Sequence, residues 1–71
     1  MQKGIYEHYK GQRYELINLV KHSETEESLV LYRALYGERG LWVRPYSMFF
    51  ENVTVGTEQQ PRFRYVGERD E

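Results

Sequence analysis

The chain has no cysteine, which removes disulfides and thiolate metal sites from the means of holding so short a sequence together. Its histidines are only two, His8 and His22, and a metal centre built on them would have to recruit carboxylates, so no metal or other cofactor is expected. A long apolar run is missing as well. The nearest, at residues 16–20, is interrupted by Asn18 and is far too short to cross a bilayer, and the first residues carry no basic, apolar, small-residue signal pattern. These absences predict a soluble, cytoplasmic protein with no membrane partner, in a reducing compartment that suits a cysteine-free chain. Nor does one charge dominate. Ten Lys and Arg stand against eleven Asp and Glu, which disfavours a non-specific nucleic-acid binder whose affinity rests on neutralising many phosphates.

What the chain does have is aromatic bulk: seven Tyr, three Phe and Trp42 in 71 residues. A domain of this size buries only about 60% of its unfolded surface, so these rings must supply much of the core. Residues 4–9 and 13–22 read as strands joined across Lys10-Gly11-Gln12. The polar stretch from Ser23 to Ser28 is a loop, in which Ser23 and Glu26 have capping-box spacing. Residues 29–36 form a third strand, and Gly37-Glu38-Arg39-Gly40 turns the chain into a fourth at residues 41–44, ended by Pro45. A 3₁₀ turn at residues 45–49 is expected to plug Met48 and Phe49 into the core. Residues 51–55 and 62–65 complete the pattern. The expected fold is therefore all-β: a single small SH3-like barrel of five to six short strands with one 3₁₀ turn, spanning residues 1–66, with residues 67–71 a frayed acidic tail.

The third and fourth strands hold the candidate site. With a four-residue loop at residues 37–40, Tyr36 faces Leu41, Leu35 faces Trp42, Ala34 faces Val43 and Arg33 faces Arg44. Val30, Tyr32, Ala34, Tyr36, Leu41 and Val43 then make the core face, joined by Ile17 and Leu19 from the second strand. Arg33, Trp42 and Arg44 share the other face with Leu31 and Leu35, and placing His22 opposite Leu29 brings Asn18 and His22 beside the arginines. This register is a choice, since a one-residue slip exchanges every assignment. Two guanidiniums near an indole would suit a carboxylate, a phosphate or a stacked base. Against this, Glu51, Glu15 or the acidic loop could neutralise the same arginines from within.

Other constellations carry less chemistry. His22-Ser23-Glu24 contains the residue types of a hydrolase triad, but triads are assembled from separated elements, so a capped turn explains it better. Asn52-Val53-Thr54 matches a glycosylation acceptor by chance in a chain without a secretion signal. The tyrosines could stack bases, but more often such residues form a small barrel's core with their hydroxyls reaching solvent.

The blocks Lys3-Gly4…Tyr6…His8-Tyr9, His22-Ser23-Glu24-Thr25, Tyr32-Arg33-Ala34-Leu35-Tyr36-Gly37, Gly40-Leu41-Trp42-Val43-Arg44-Pro45, Met48-Phe49 and Pro61-Arg62-Phe63 resemble a short, mainly bacterial domain family of unknown function. The resemblance covers nearly the whole chain. It implies an SH3-type barrel and no established activity, cofactor or catalytic residue. The functional expectation is a non-enzymatic binding or adaptor module that recognises a protein or acidic peptide through Asn18, His22, Arg33, Trp42 and Arg44. The alternative is RNA or single-stranded DNA binding through these arginines with Arg62, Arg64 and exposed tyrosines. A third reading is a small hydrolase-like enzyme with His22 as general base.

Overall fold

The computed structural model describes residues 2–69. Its elements in chain order are β1 (Gly4–His8), β2 (Arg13–Lys21), β3 (Ser28–Ala34), β4 (Leu41–Pro45), α1 (Tyr46–Phe49), β5 (Asn52–Val55), β6 (Glu58–Pro61) and β7 (Phe63–Gly67). Five strands form one antiparallel sheet in the order β4-β3-β2-β1-β7, while β5 and β6 make a separate hairpin. The fold is all-β with a single helical turn. Among the described residues β4 and β7 are not joined by a ladder, so the sheet is open where a closed barrel was expected. The connection between them holds α1 and the β5–β6 hairpin, whose strands pair with each other and with neither edge of the sheet.

One face of the sheet carries the core. Tyr6, Leu16, Val30 and Tyr32 are buried against Phe49 and Phe63, whose rings stack 4.1 Å apart and nearly parallel. Phe49 comes from α1, where Phe50 closes the turn by donating its amide to the Tyr46 carbonyl, an α-helical rather than 3₁₀ bond. Phe49 enters the core as expected, whereas Met48 is exposed. Tyr6, Tyr14 and Tyr32 meet the Phe49–Phe63 stack at steep angles, the geometry ring quadrupoles prefer. The polar run Glu58 to Pro61, expected as loop, pairs with β5 as β6. The strand β7 includes Gly67, which pairs with Ile5. Of the expected acidic tail, Asp70 and Glu71 lie outside the described residues.

The register of β4 departs most from expectation. Arg33 lies opposite Leu41, Tyr32 opposite Trp42, Leu31 opposite Val43 and Val30 opposite Arg44. Arg44 was expected three places away, opposite Arg33, and an odd shift turns every side chain of β4 to the other face. The cause is the length of the connection. The Leu35 amide donates to Arg13 of β2, and a turn closed by Arg39 N–H to the Tyr36 carbonyl uses positive φ at both Gly37 and Arg39. Trp42 and Arg44 therefore share the face of Tyr32 and Val30, while Leu41 and Val43 lie outside. Ile17 sits at a bulge between Leu16 and Asn18, so Leu16 and Leu19, rather than Ile17, serve the core.

Candidate functional site

Arg44 is carried by β4 opposite the fully buried Val30, and this places its guanidinium on the rim of the aromatic core. The guanidinium carbon lies 5.7 Å from the centre of the Phe63 ring. Its Nε–H is buried with no hydrogen-bond acceptor among the described residues, and the same holds for Nε of Arg62. Arg62 differs in having a carboxylate: its Nη2 pairs with Glu51, and its backbone amide donates to the Glu51 carbonyl at 2.9 Å. Among the described residues Arg44 makes no ion pair, and the β3 and β4 stretches around it contain no Asp or Glu.

His8 faces this corner of the core, 4.9 Å from Phe63 between ring centres. Partial burial pushes its pKa below the usual histidine value, and the positive charges of Arg62, Arg44 and Lys10 push it further in the same direction. Tyr14 donates to or accepts from Tyr36 at 2.8 Å, and its phenol is pushed up to about 12, first by burial and then by that hydrogen bond. Two residues before Arg44 on the same face, Trp42 is 59% exposed. Its indole borders a cavity of about 220 Å³ shared with Ala34, Tyr36 and the Glu38-Arg39-Gly40 turn. The result is a cation over a ring, next to an open aromatic cleft.

The five residues singled out from sequence are not brought together. Arg33 lies on the outer face, directly opposite Glu15 and Leu41, with Nη1 donating to the Arg39 carbonyl at 3.4 Å and no ion pair to Glu15. The expected pairing of Arg33 opposite Arg44 does not arise, since the two lie on opposite faces of the sheet. Asn18 is on the outer face opposite Leu31, its Oδ1 accepting from the Leu19 amide at 2.9 Å. His22 is exposed in the β2–β3 loop, where Nδ1 accepts from the Glu24 amide at 3.1 Å. Trp42 and Arg44 remain neighbours. The companions missed from sequence are His8 and Phe63, while Arg62 was named there only for the nucleic-acid reading and Tyr36 only as a core or stacking ring; the inward parity of Phe63 was readable, but its meeting with Arg44 depended on the β4 register. Among the described residues no group of three His, Cys, Asp or Glu could hold a metal ion, and no helix is long and apolar enough to cross a membrane.

Residues 4–65 match the family described as "protein of unknown function (DUF1653)". The chain belongs to this family. It is also similar to a crystal structure of a protein belonging to the same family from Bordetella bronchiseptica, with a TM-score of 0.89 and 38% identity, covering 96% of this chain and 90% of that one. No curated protein matches the sequence. The DUF1653 assignment agrees with the family of unknown function expected from the sequence, and it attaches no reaction or ligand to the fold.

Proposed function

We propose that this DUF1653 protein is a non-enzymatic binding module that takes an acidic segment of another protein on the Arg44–Trp42 side of β4. The observation that carries this reading is Arg44, a guanidinium with no ion pair among the described residues, in a pair of strands devoid of carboxylates and beside an exposed indole. A carboxylate at this corner gains a charge-assisted hydrogen bond, a contribution of about 1.5–3 kcal/mol. Trp42 and Tyr36 add rigid contact area at little entropic cost. Nucleic acid is the weaker reading because Arg62 and Arg64 are already engaged by Glu51 and Glu7. Hydrolysis is weaker still, because the Nδ1 lone pair of His22 is committed to loop amides. The open sheet with its helical turn is in keeping with an SH3-like barrel left unclosed between β4 and β7, and small barrels of that kind present peptide grooves.

Trp42 is the only tryptophan of the chain, so its fluorescence reports the site alone. Titration with an acidic peptide is expected to saturate, with Arg44→Met weakening binding roughly ten- to hundredfold and Arg33→Met by less than about threefold. Arg44→Met should leave stability within about 1 kcal/mol, since losing a cation–π contact of about 0.5–1 kcal/mol is offset by removing a buried unpaired donor. Equal weakening by both substitutions would remove Arg44 from the site. A stability loss of several kcal/mol would mark it as structural.

A further inference from the structure

The β4 strand is an unusual sheet edge. Leu41, Trp42 and Val43 are 55%, 59% and 54% exposed, so the first three residues are apolar on both faces, and among the described residues no strand pairs with its outer side. Natural edges are commonly blunted by charged side chains, proline, bulges or covering segments, and on this one such residues, Arg44 and Pro45, stand only at the end. The direction of its backbone groups follows from its neighbours. Ala34 donates its amide to the Gly40 carbonyl, which makes that pair a hydrogen-bonded one, and alternation makes Trp42 and Arg44 bond inward to β3. The N–H and C=O groups of Leu41 and Val43 therefore point outward, and none of them enters the turn and loop hydrogen bonds among the described residues.

Resting on the binding reading above, we infer that the acidic segment binds by adding to β4 as an antiparallel strand, with the order acidic residue, any residue, aromatic residue along its chain. An antiparallel guest meets Arg44 before Trp42, and directly opposed residues share a face, so the acid falls on Arg44 and the ring falls beside Trp42 and the Tyr36 cleft. The middle residue exchanges hydrogen bonds with Val43. Its two neighbours occupy non-hydrogen-bonded positions, where opposed side chains approach most closely. Charge complementarity selects this occupant over a second copy of the chain, because β4 against β4 would double the unneutralised arginines at an edge that holds no carboxylate.

The probe is a synthetic peptide with a Glu-Thr-Phe centre, compared with Phe-Thr-Glu and with versions N-methylated at single positions. Binding is followed by Trp42 fluorescence, and amide hydrogen exchange is followed at Leu41 and Val43. The expected result is preference for Glu-Thr-Phe, slowed exchange at both amides, and loss of binding on methylating the Thr nitrogen but not the Glu or Phe nitrogen. If acidic peptides bind through Arg44 while both amides exchange as before and methylation is tolerated everywhere, strand addition is wrong and the binding reading stands. If no acidic peptide binds, the binding reading itself fails. Protection of Leu41 and Val43 in the peptide-free protein, with a dimer in solution, would instead make a second copy the occupant. Binding of an RNA oligonucleotide in place of the peptides would likewise overturn the choice of partner.

Discussion

Tyr14 shows how a single side chain couples the core to solution conditions. Its hydroxyl meets that of Tyr36 at the border of the core, and burial together with this bond raises its pKa from 10.0 to about 12. The folded state therefore resists losing this proton more than the unfolded state does. The resulting stabilisation is fully present below about pH 10 and is lost as pH rises towards 12. Tyr14→Phe should flatten this alkaline decline, measured as denaturation midpoints across that range. Tyr6, also raised mainly by burial, keeps part of the slope. A decline identical in wild type and Tyr14→Phe would assign it to other groups. His8 runs the opposite way: its lowered pKa favours the neutral ring, so its contribution is present above the ordinary value of 6.5 and lost as pH falls through the folded one.

Strand ends and registers, rather than strand cores, govern the behaviour of the elements. β1 begins at Gly4 with φ +140°, where an added Cβ would lie 2.6 Å from the Gly67 carbonyl oxygen and 2.9 Å from the Tyr65 ring. Gly11, at φ +106°, has open space around the same position. Gly4→Ala should then cost at least about 2 kcal/mol, and clearly more than Gly11→Ala, which meets backbone strain alone. Equal losses in chemical denaturation would show that β7 gives way freely at Gly67. What could be read from sequence follows the same division. Val30, Tyr32 and Ala34 alternate with half-buried neighbours in β3, and Phe49 and Phe63 carry no competing polar role, so both core placements were legible. The facing of β4 was not, because Leu41, Trp42 and Val43 are all apolar and either parity looks like a core strand. The decisive features, a Leu35 amide drawn to β2 and positive φ at the non-glycine Arg39, have no signature in residue type. β6 was illegible for the reverse reason, being uniformly polar and exposed.

At the scale of the whole molecule, the open sheet sorts its charges by position. The β1, β2 and β7 side ties Arg13 and Arg64 to Glu7, and Glu51 before β5 holds Arg62, whereas on the β3–β4 side Arg33 and Arg44 have no ion pair among the described residues. Near-neutral overall charge thus coexists with one uncompensated, apolar edge. The central claim is that this edge receives an acidic partner on its Arg44–Trp42 face. The most direct test is a nuclear magnetic resonance titration of the labelled protein with an acidic peptide, observing the Trp42 indole, the arginine Nε–H groups and the histidine rings together. The account predicts shifts at Trp42 and Arg44, and a rise in the His8 pKa as the added carboxylate offsets its cationic neighbours, while Asn18, His22 and Arg33 stay in place. Shifts gathered on the outer face around Asn18 and Arg33, or no shift at Arg44 at saturating peptide, would contradict it.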